Sequence, residues 1–180
     1  MGLGYVGLPL AISCVRAGFS VIGFDIDEAK TEALRRREPY LPHIDHSGLN
    51  LALDDASFAA TTDFAQSADC DAILICVPTP LGPHREPDLS YVEDTMERIG
   101  THLREGQVVS LESSTYPGTT EELIQRKVED RGLQVGKQVF VLYSPEREDP
   151  GNKNHLTNSI PKVLGGITRD CLEVGIALRA

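Results

Sequence analysis

Cysteine pairs at metal or redox spacing are missing from this chain. Its four cysteines (Cys14, Cys70, Cys76 and Cys171) form no CxxC or CxxH pattern. A disulfide framework or zinc site is therefore not expected, and the thiols read as free in a reducing cytosol. Positive charge is also scarce, with 17 Lys and Arg against 27 Asp and Glu and a formal charge of −10. A nucleic-acid binder needs a basic footprint for phosphates, so that class is set aside. No apolar run approaches the ~20 residues of a membrane span, and no secretory signal pattern opens the chain. A cytoplasmic protein without a membrane partner is expected. His43 and His46 flank Asp45, but no third ligand follows at convincing spacing, so no metal is expected there. His84, His102 and His155 read as loop or surface residues. What remains is ordinary globular composition, 41% hydrophobic and 24% charged over 180 residues, enough for one domain with a real core.

The apolar pattern predicts alternating helices and strands. Leu8, Ala11, Ile12 and Val15 recur at helical spacing over residues 8–17, Pro9 falls in the tolerant first turn, and Gly18 sits where the helix would stop. A short β-rich run at 20–24 ends in Asp25, and a polar helix is expected at 28–37. Residues 38–57 are less regular, with a short helix near 49–53. Strands are expected at 58–62 and 72–77, the second a continuous apolar run of the kind buried on both faces of a parallel sheet. Ser90 and Glu93 fit a capping box opening a helix to about residue 103. Further strands are expected at 108–112, 139–143 and 162–165, with helices at 119–131 and 168–180. The stretch 144–159 reads as an irregular loop. This alternation predicts an α/β fold, a Rossmann-type doubly wound and mostly parallel sheet.

Gly2-Leu3-Gly4-Tyr5-Val6-Gly7 matches the GxGxxG dinucleotide fingerprint. The first glycine permits a tight turn, the second lets a pyrophosphate approach the backbone, and the third lets the helix pack close to a strand. The helix that follows offers N–H groups and a positive dipole end to the phosphates. Asp25 stands 18 residues past Gly7 at the end of the next strand, near the ~20-residue spacing of the carboxylate that binds an adenosine ribose. A carboxylate there repels a 2′-phosphate, which favours NAD over NADP. Lys30 is either a second ribose or phosphate-edge contact or a solvated helix lysine. Such a glycine run normally follows a strand, so the first strand of the sheet is expected to be truncated.

Five ordered blocks make the reading specific. They are Gly2-Leu3-Gly4-Tyr5-Val6-Gly7-Leu8-Pro9-Leu10-Ala11, Gly23-Phe24-Asp25-Ile26-Asp27 with Lys30, and Val77-Pro78-Thr79-Pro80. To these add Glu112-Ser113-Ser114-Thr115-Tyr116-Pro117-Gly118 and Ser144-Pro145-Glu146-Arg147-Glu148-Asp149-Pro150-Gly151. In order and spacing they resemble the UDP-glucose/GDP-mannose (nucleotide-sugar) dehydrogenases across nearly the whole chain. The last block, continued by Asn152, is most similar to the UDP-N-acetylglucosamine 6-dehydrogenase branch. UDP-glucose enzymes tend to carry a second glutamate where Pro150 stands.

The resemblance implies oxidation of a UDP-sugar 6-hydroxyl to a carboxylate with NAD, through an aldehyde and a cysteine thioester that water hydrolyses. It implies cofactor contacts from Gly2, Gly4, Tyr5, Val6, Gly7, Asp25, Lys30, Thr79 and Thr115. Thr115 is implied to help hold the hydrolytic water and Glu146 to act as general base. Glu146 and Arg147 are implied to face the substrate. The UDP-N-acetylmannosamine and UDP-glucose enzymes, and a non-catalytic dinucleotide-binding module, stand as alternatives. The family's Gly-Gly-x-Cys nucleophile stretch does not occur in these 180 residues. Residues 1–180 are thus expected to be the NAD-binding domain alone, with the connecting helix, UDP-binding domain and dimer contacts elsewhere, in a bacterial enzyme of surface-polysaccharide synthesis.

Overall fold

A computed structural model describes residues 1–38, 40–41, 49–50, 53–54, 57–82, 84–145 and 162–179. The chain forms two compact units, Met1–Phe64 and Ala65–Ala180.

In the first unit, helix α1 (Gly7–Arg16) turns Leu8, Ala11 and Ile12 inward, and the chain leaves it through Gly18 at φ +93°. Strand β1 (Val21–Phe24) pairs in parallel with β2 (Phe58–Thr61), from Val21 opposite Phe58 to Phe24 opposite Thr61. Parallel neighbours need a crossover, and helix α2 (Glu28–Arg35) lies within it. Asp27 caps α2 by accepting the Ala29 N–H at 2.9 Å. Leu3, Leu8, Ile12, Leu34 and Phe58 belong to one buried cluster, with Val15 packed against it. Leu49, Asn50, Leu53 and Asp54 are helical, as expected near 49–53; the rest of that stretch lies outside the described residues.

In the second unit, β3 (Ala72–Ile75), β4 (Gln107–Leu111), β5 (Val139–Tyr143) and β6 (Gly165–Gly166) lie side by side in that order. The first three are parallel and β6 runs antiparallel to β5. Every residue of β4 is buried, as a central parallel strand requires. Helix α3 (Ser90–Gly100) buries Val92, Met96 and Ile99. A π-helical segment, Thr120–Gln125, runs into the short α4 (Arg126–Glu129), and α5 (Arg169–Arg179) closes the described chain.

The expected alternation is present, and the sheets are parallel-dominated in a Rossmann-like α/β arrangement. Four local expectations change. Ser90 is the first residue of α3 rather than its cap; Asp88 Oδ1 takes the Ser90 N–H at 3.0 Å instead. The helix expected at 119–131 is π-helical over its first half, Thr120–Gln125. The apolar strand expected to reach Val77 ends at Ile75, and the strand expected at 162–165 is the two-residue β6. A 3₁₀ turn at Phe64–Asp69 carries no apolar period and was not legible in sequence.

Candidate cofactor and catalytic site

The glycine loop of the first unit is built around Leu3. Gly2 takes φ +85°, a left-handed conformation that suits glycine, and its N–H donates to the Phe24 carbonyl at 2.7 Å. The Leu3 N–H donates to Asp25 Oδ2 at 2.8 Å, and the Leu3 carbonyl accepts the Tyr40 hydroxyl at 2.7 Å. Its side chain is buried against Gly23, where an added Cβ would sit 2.7 Å from Leu3 Cδ2. One residue of the loop is thus held at its N–H, its carbonyl and its side chain.

Past Leu3 the loop is open. A Cβ added at Gly4 would meet nothing within 4 Å. Helix α1 begins after Val6 with no side-chain cap and no acid in its first turn, so its own residues place no negative charge at its positive dipole end. Space over the second glycine beside an uncapped helix start is what a pyrophosphate requires, and the loop fits NAD there.

Asp25 sits where a ribose carboxylate should, at the end of β1, but it is only 5% exposed. Oδ2 accepts Leu3 N–H and faces Lys30 Nζ at 3.1 Å, while Oδ1 accepts the Asp27 N–H at 3.0 Å. A carboxylate offers about four acceptor positions, so a ribose hydroxyl finds one left. Lys30 is therefore paired with Asp25 rather than solvated alone, and its ammonium keeps two further donors. Burial, then the facing Asp25 and Asp27 carboxylates, raise the Tyr40 hydroxyl well above the usual tyrosine range, so it stays a proton donor to Leu3.

In the second unit, chemistry-bearing residues gather just past the ends of β3, β4 and β5. The Thr79 hydroxyl donates to the Ser114 carbonyl at 2.7 Å, tying the loop after β3 to the residue before Thr115. Ser113 Oγ donates to the Val77 carbonyl at 2.7 Å, and the Thr115 N–H points to the Tyr143 hydroxyl at 3.5 Å. Carboxyl ends of parallel strands are where open α/β sheets bind ligands. Thr79 and Thr115 thus share one hydrogen-bonded loop pair. Glu146 and Arg147 lie outside the described residues.

Glu112, three residues before Thr115 in the chain, is wholly buried and pairs with Arg179 of α5, with Lys162 Nζ 3.9 Å from its other oxygen. Ser110 Oγ also donates to it, at 2.7 Å. Sequence reasoning placed Glu112 in a block but gave it no work, and it overlooked Tyr40 and Tyr143. Their partners are far away along the chain, and no spacing rule reaches them.

Two of the four cysteines are poorly placed to act as nucleophiles. Cys171 is buried with its sulfur accepting the Val141 N–H at 3.3 Å, and burial pushes the Cys70 thiol up, away from the thiolate. Among the described residues no cluster of three metal-binding side chains occurs, and no helix is long and apolar enough to cross a membrane.

Residues 1–179 match the UDP-glucose/GDP-mannose dehydrogenase family, NAD binding domain. The UDP-N-acetyl-D-glucosamine 6-dehydrogenase of Pseudomonas aeruginosa is 38% identical over 175 residues, covering 97% of this chain and 40% of that protein. The UDP-N-acetyl-D-mannosamine dehydrogenase of Escherichia coli K12 is 34% identical over 180 residues, covering 95% of this chain and 42% of its own length. Among solved structures, the UDP-N-acetyl-mannosamine dehydrogenase of Staphylococcus aureus superposes with TM-score 0.88 at 26% identity, covering 99% of this chain and 43% of that one. The chain thus spans well under half the length of these relatives.

Proposed function

The chain belongs to the UDP-glucose/GDP-mannose dehydrogenase family, and on that premise we propose that the whole protein oxidises the 6-hydroxyl of UDP-N-acetylglucosamine to the uronic acid. NAD is the cofactor of this domain, and when bound it accepts hydride from the sugar carbon. Across the reaction the carbon gives up two hydrides, one to each of two successive NAD molecules, and water supplies the second carboxylate oxygen. The observation that carries the substrate reading is the 38% identity with a UDP-N-acetyl-D-glucosamine 6-dehydrogenase.

The residues here divide the work by location. Gly2, Gly4, Tyr5, Val6 and Gly7 form the loop and helix start that take the pyrophosphate, and Asp25 with Lys30 meets the adenosine ribose. Thr79 and Thr115, linked through the Ser114 carbonyl, sit at strand ends suited to the nicotinamide side. Thr115 helps hold the hydrolytic water and Glu146 removes its proton, with Arg147 on the substrate. The nucleophilic thiol comes from none of Cys14, Cys70, Cys76 or Cys171. A cytoplasmic protein that acts as a homodimer or higher homo-oligomer and feeds polysaccharide synthesis completes the proposal.

A second reading has its own support, because the Escherichia coli and Staphylococcus aureus relatives are UDP-N-acetylmannosamine enzymes. Relative kcat/KM for UDP-N-acetylglucosamine, its manno epimer and UDP-glucose decides between them. The glucosamine sugar should lead by tenfold or more. A lead for the manno epimer favours the second reading, and a lead for UDP-glucose removes both.

A further inference from the structure

We propose that Tyr40 is a positioning residue for NAD: with Asp25 it clamps the Leu3 peptide and so holds the glycine loop in its pyrophosphate-binding shape. The inference rests on the reading of Gly2–Gly7 as the cofactor loop.

A glycine loop pays for its freedom in entropy. Gly2 and Gly4 flank Leu3, so the peptide groups between them have wide backbone choice before a ligand arrives. Binding is stronger when that choice is removed beforehand. Here the removal is done at Leu3. Its N–H is fixed by Asp25 Oδ2 at 2.8 Å and its carbonyl by the Tyr40 hydroxyl at 2.7 Å. The side chain is buried at 2% exposure over Gly23, so Leu3 cannot swing about its own backbone to escape either bond. Asp25 is itself steadied by the Asp27 N–H and by Lys30.

The two clamps are not equivalent. Asp25 also faces the ribose, so its loss confounds two effects. Tyr40 bonds the loop carbonyl, and removing one oxygen from it leaves the ring's packing in place. Tyr40 also comes from outside the strand–loop–helix motif, 37 residues from Leu3. The clamp therefore ties loop order to the crossover between α2 and β2.

The test uses the whole protein with Tyr40→Phe. Affinities for NAD, ADP-ribose and adenosine are measured by calorimetry, with hydrogen exchange at the Leu3 amide followed before ligand is added. Tyr40→Phe should weaken NAD and ADP-ribose alike, about threefold to tenfold, as the loss of one hydrogen bond implies. Adenosine, which has no pyrophosphate, should bind as before, and the Leu3 amide should exchange faster. A general loss of structure would weaken adenosine equally, which overturns the proposal. Unchanged NAD affinity in Tyr40→Phe overturns the clamp while leaving the cofactor reading intact. Absence of NAD binding by the unsubstituted protein overturns both.

Discussion

Asp25 serves two ends with one carboxylate. One oxygen holds the Leu3 N–H and Lys30, the other holds the Asp27 N–H, and on the proposed reading the remaining acceptor position is the one a ribose hydroxyl would take. Asp25→Ala should weaken NAD about tenfold or more, because a hydrogen bond to a charged group contributes ~1.5–3 kcal/mol. It should also lower the melting temperature, since the Leu3 N–H is buried and would lose its partner. Weaker NAD with an unchanged melting temperature would mean that Asp25 touches only ligand. Gly23 makes a companion case. A methyl there would lie 2.7 Å from Leu3 Cδ2 and 3.1 Å from Phe58 Cε2, in a site with no slack. Gly23→Ala is expected to cost about 1–3 kcal/mol by overpacking, read from denaturant midpoints. A neutral result would show that Leu3 can move, and that the loop is not held by its side chain.

At the scale of elements, the strands and helices with strong apolar periods were legible: α1 from Leu8, Ala11, Ile12 and Val15, and β3 and β5 from unbroken apolar runs. Boundaries and joints were not. Ser90 looked like a cap by its own chemistry, yet the chain begins α3 at that residue and uses Asp88 two positions earlier. The hydrogen bond from Ser90 holds the Asp88 carboxyl below its ordinary value of 3.8. A depressed carboxyl stabilises the fold above that value and loses its contribution as pH falls through the lower folded value. The melting-temperature gap between the unsubstituted protein and Asp88→Ala should therefore be open near neutral pH and close below pH 3.8. A gap that persists to pH 2 would place the effect elsewhere.

Glu112 joins two further elements, because its wholly buried carboxylate lies just past β4 while Arg179 comes from α5. Arg179→Met should cost about 3 kcal/mol by stranding a buried charge, with Lys162 only a distant substitute at 3.9 Å. Adding Glu112→Leu should recover most of that loss, since a buried ion pair is often replaceable by apolar residues. Failure of the double variant to recover would mean that the contacts of Glu112 with Ser110 and Lys162 outweigh its pairing with Arg179. Such pairs join residues far apart in the chain, so only the fold reveals them.

At the scale of the molecule, the order of the five motif blocks carried the family and the cofactor, and the match over residues 1–179 agrees. The two candidate clusters, one in each unit, could be named in sequence because each lies at a strand end marked by glycine, proline or threonine. Their internal wiring could not, since Tyr40, Tyr143 and Glu112 act through contacts that no local pattern encodes. The 180-residue chain alone is expected to yield no NADH with any UDP-sugar, because none of its cysteines stands in the Gly-Gly-x-Cys context that the resemblance implies for the nucleophile. Steady turnover would reveal one that geometry conceals. The most direct test of the central claim is a calorimetric titration of the whole protein with NAD and with NADP, repeated on Asp25→Ala. NAD should bind at least about tenfold more tightly than NADP, and the preference should collapse in the variant, as loss of one charged hydrogen bond and its repulsion of a 2′-phosphate requires. Equal affinity for the two cofactors in the unsubstituted protein would contradict the reading of this loop and its carboxylate as an NAD site.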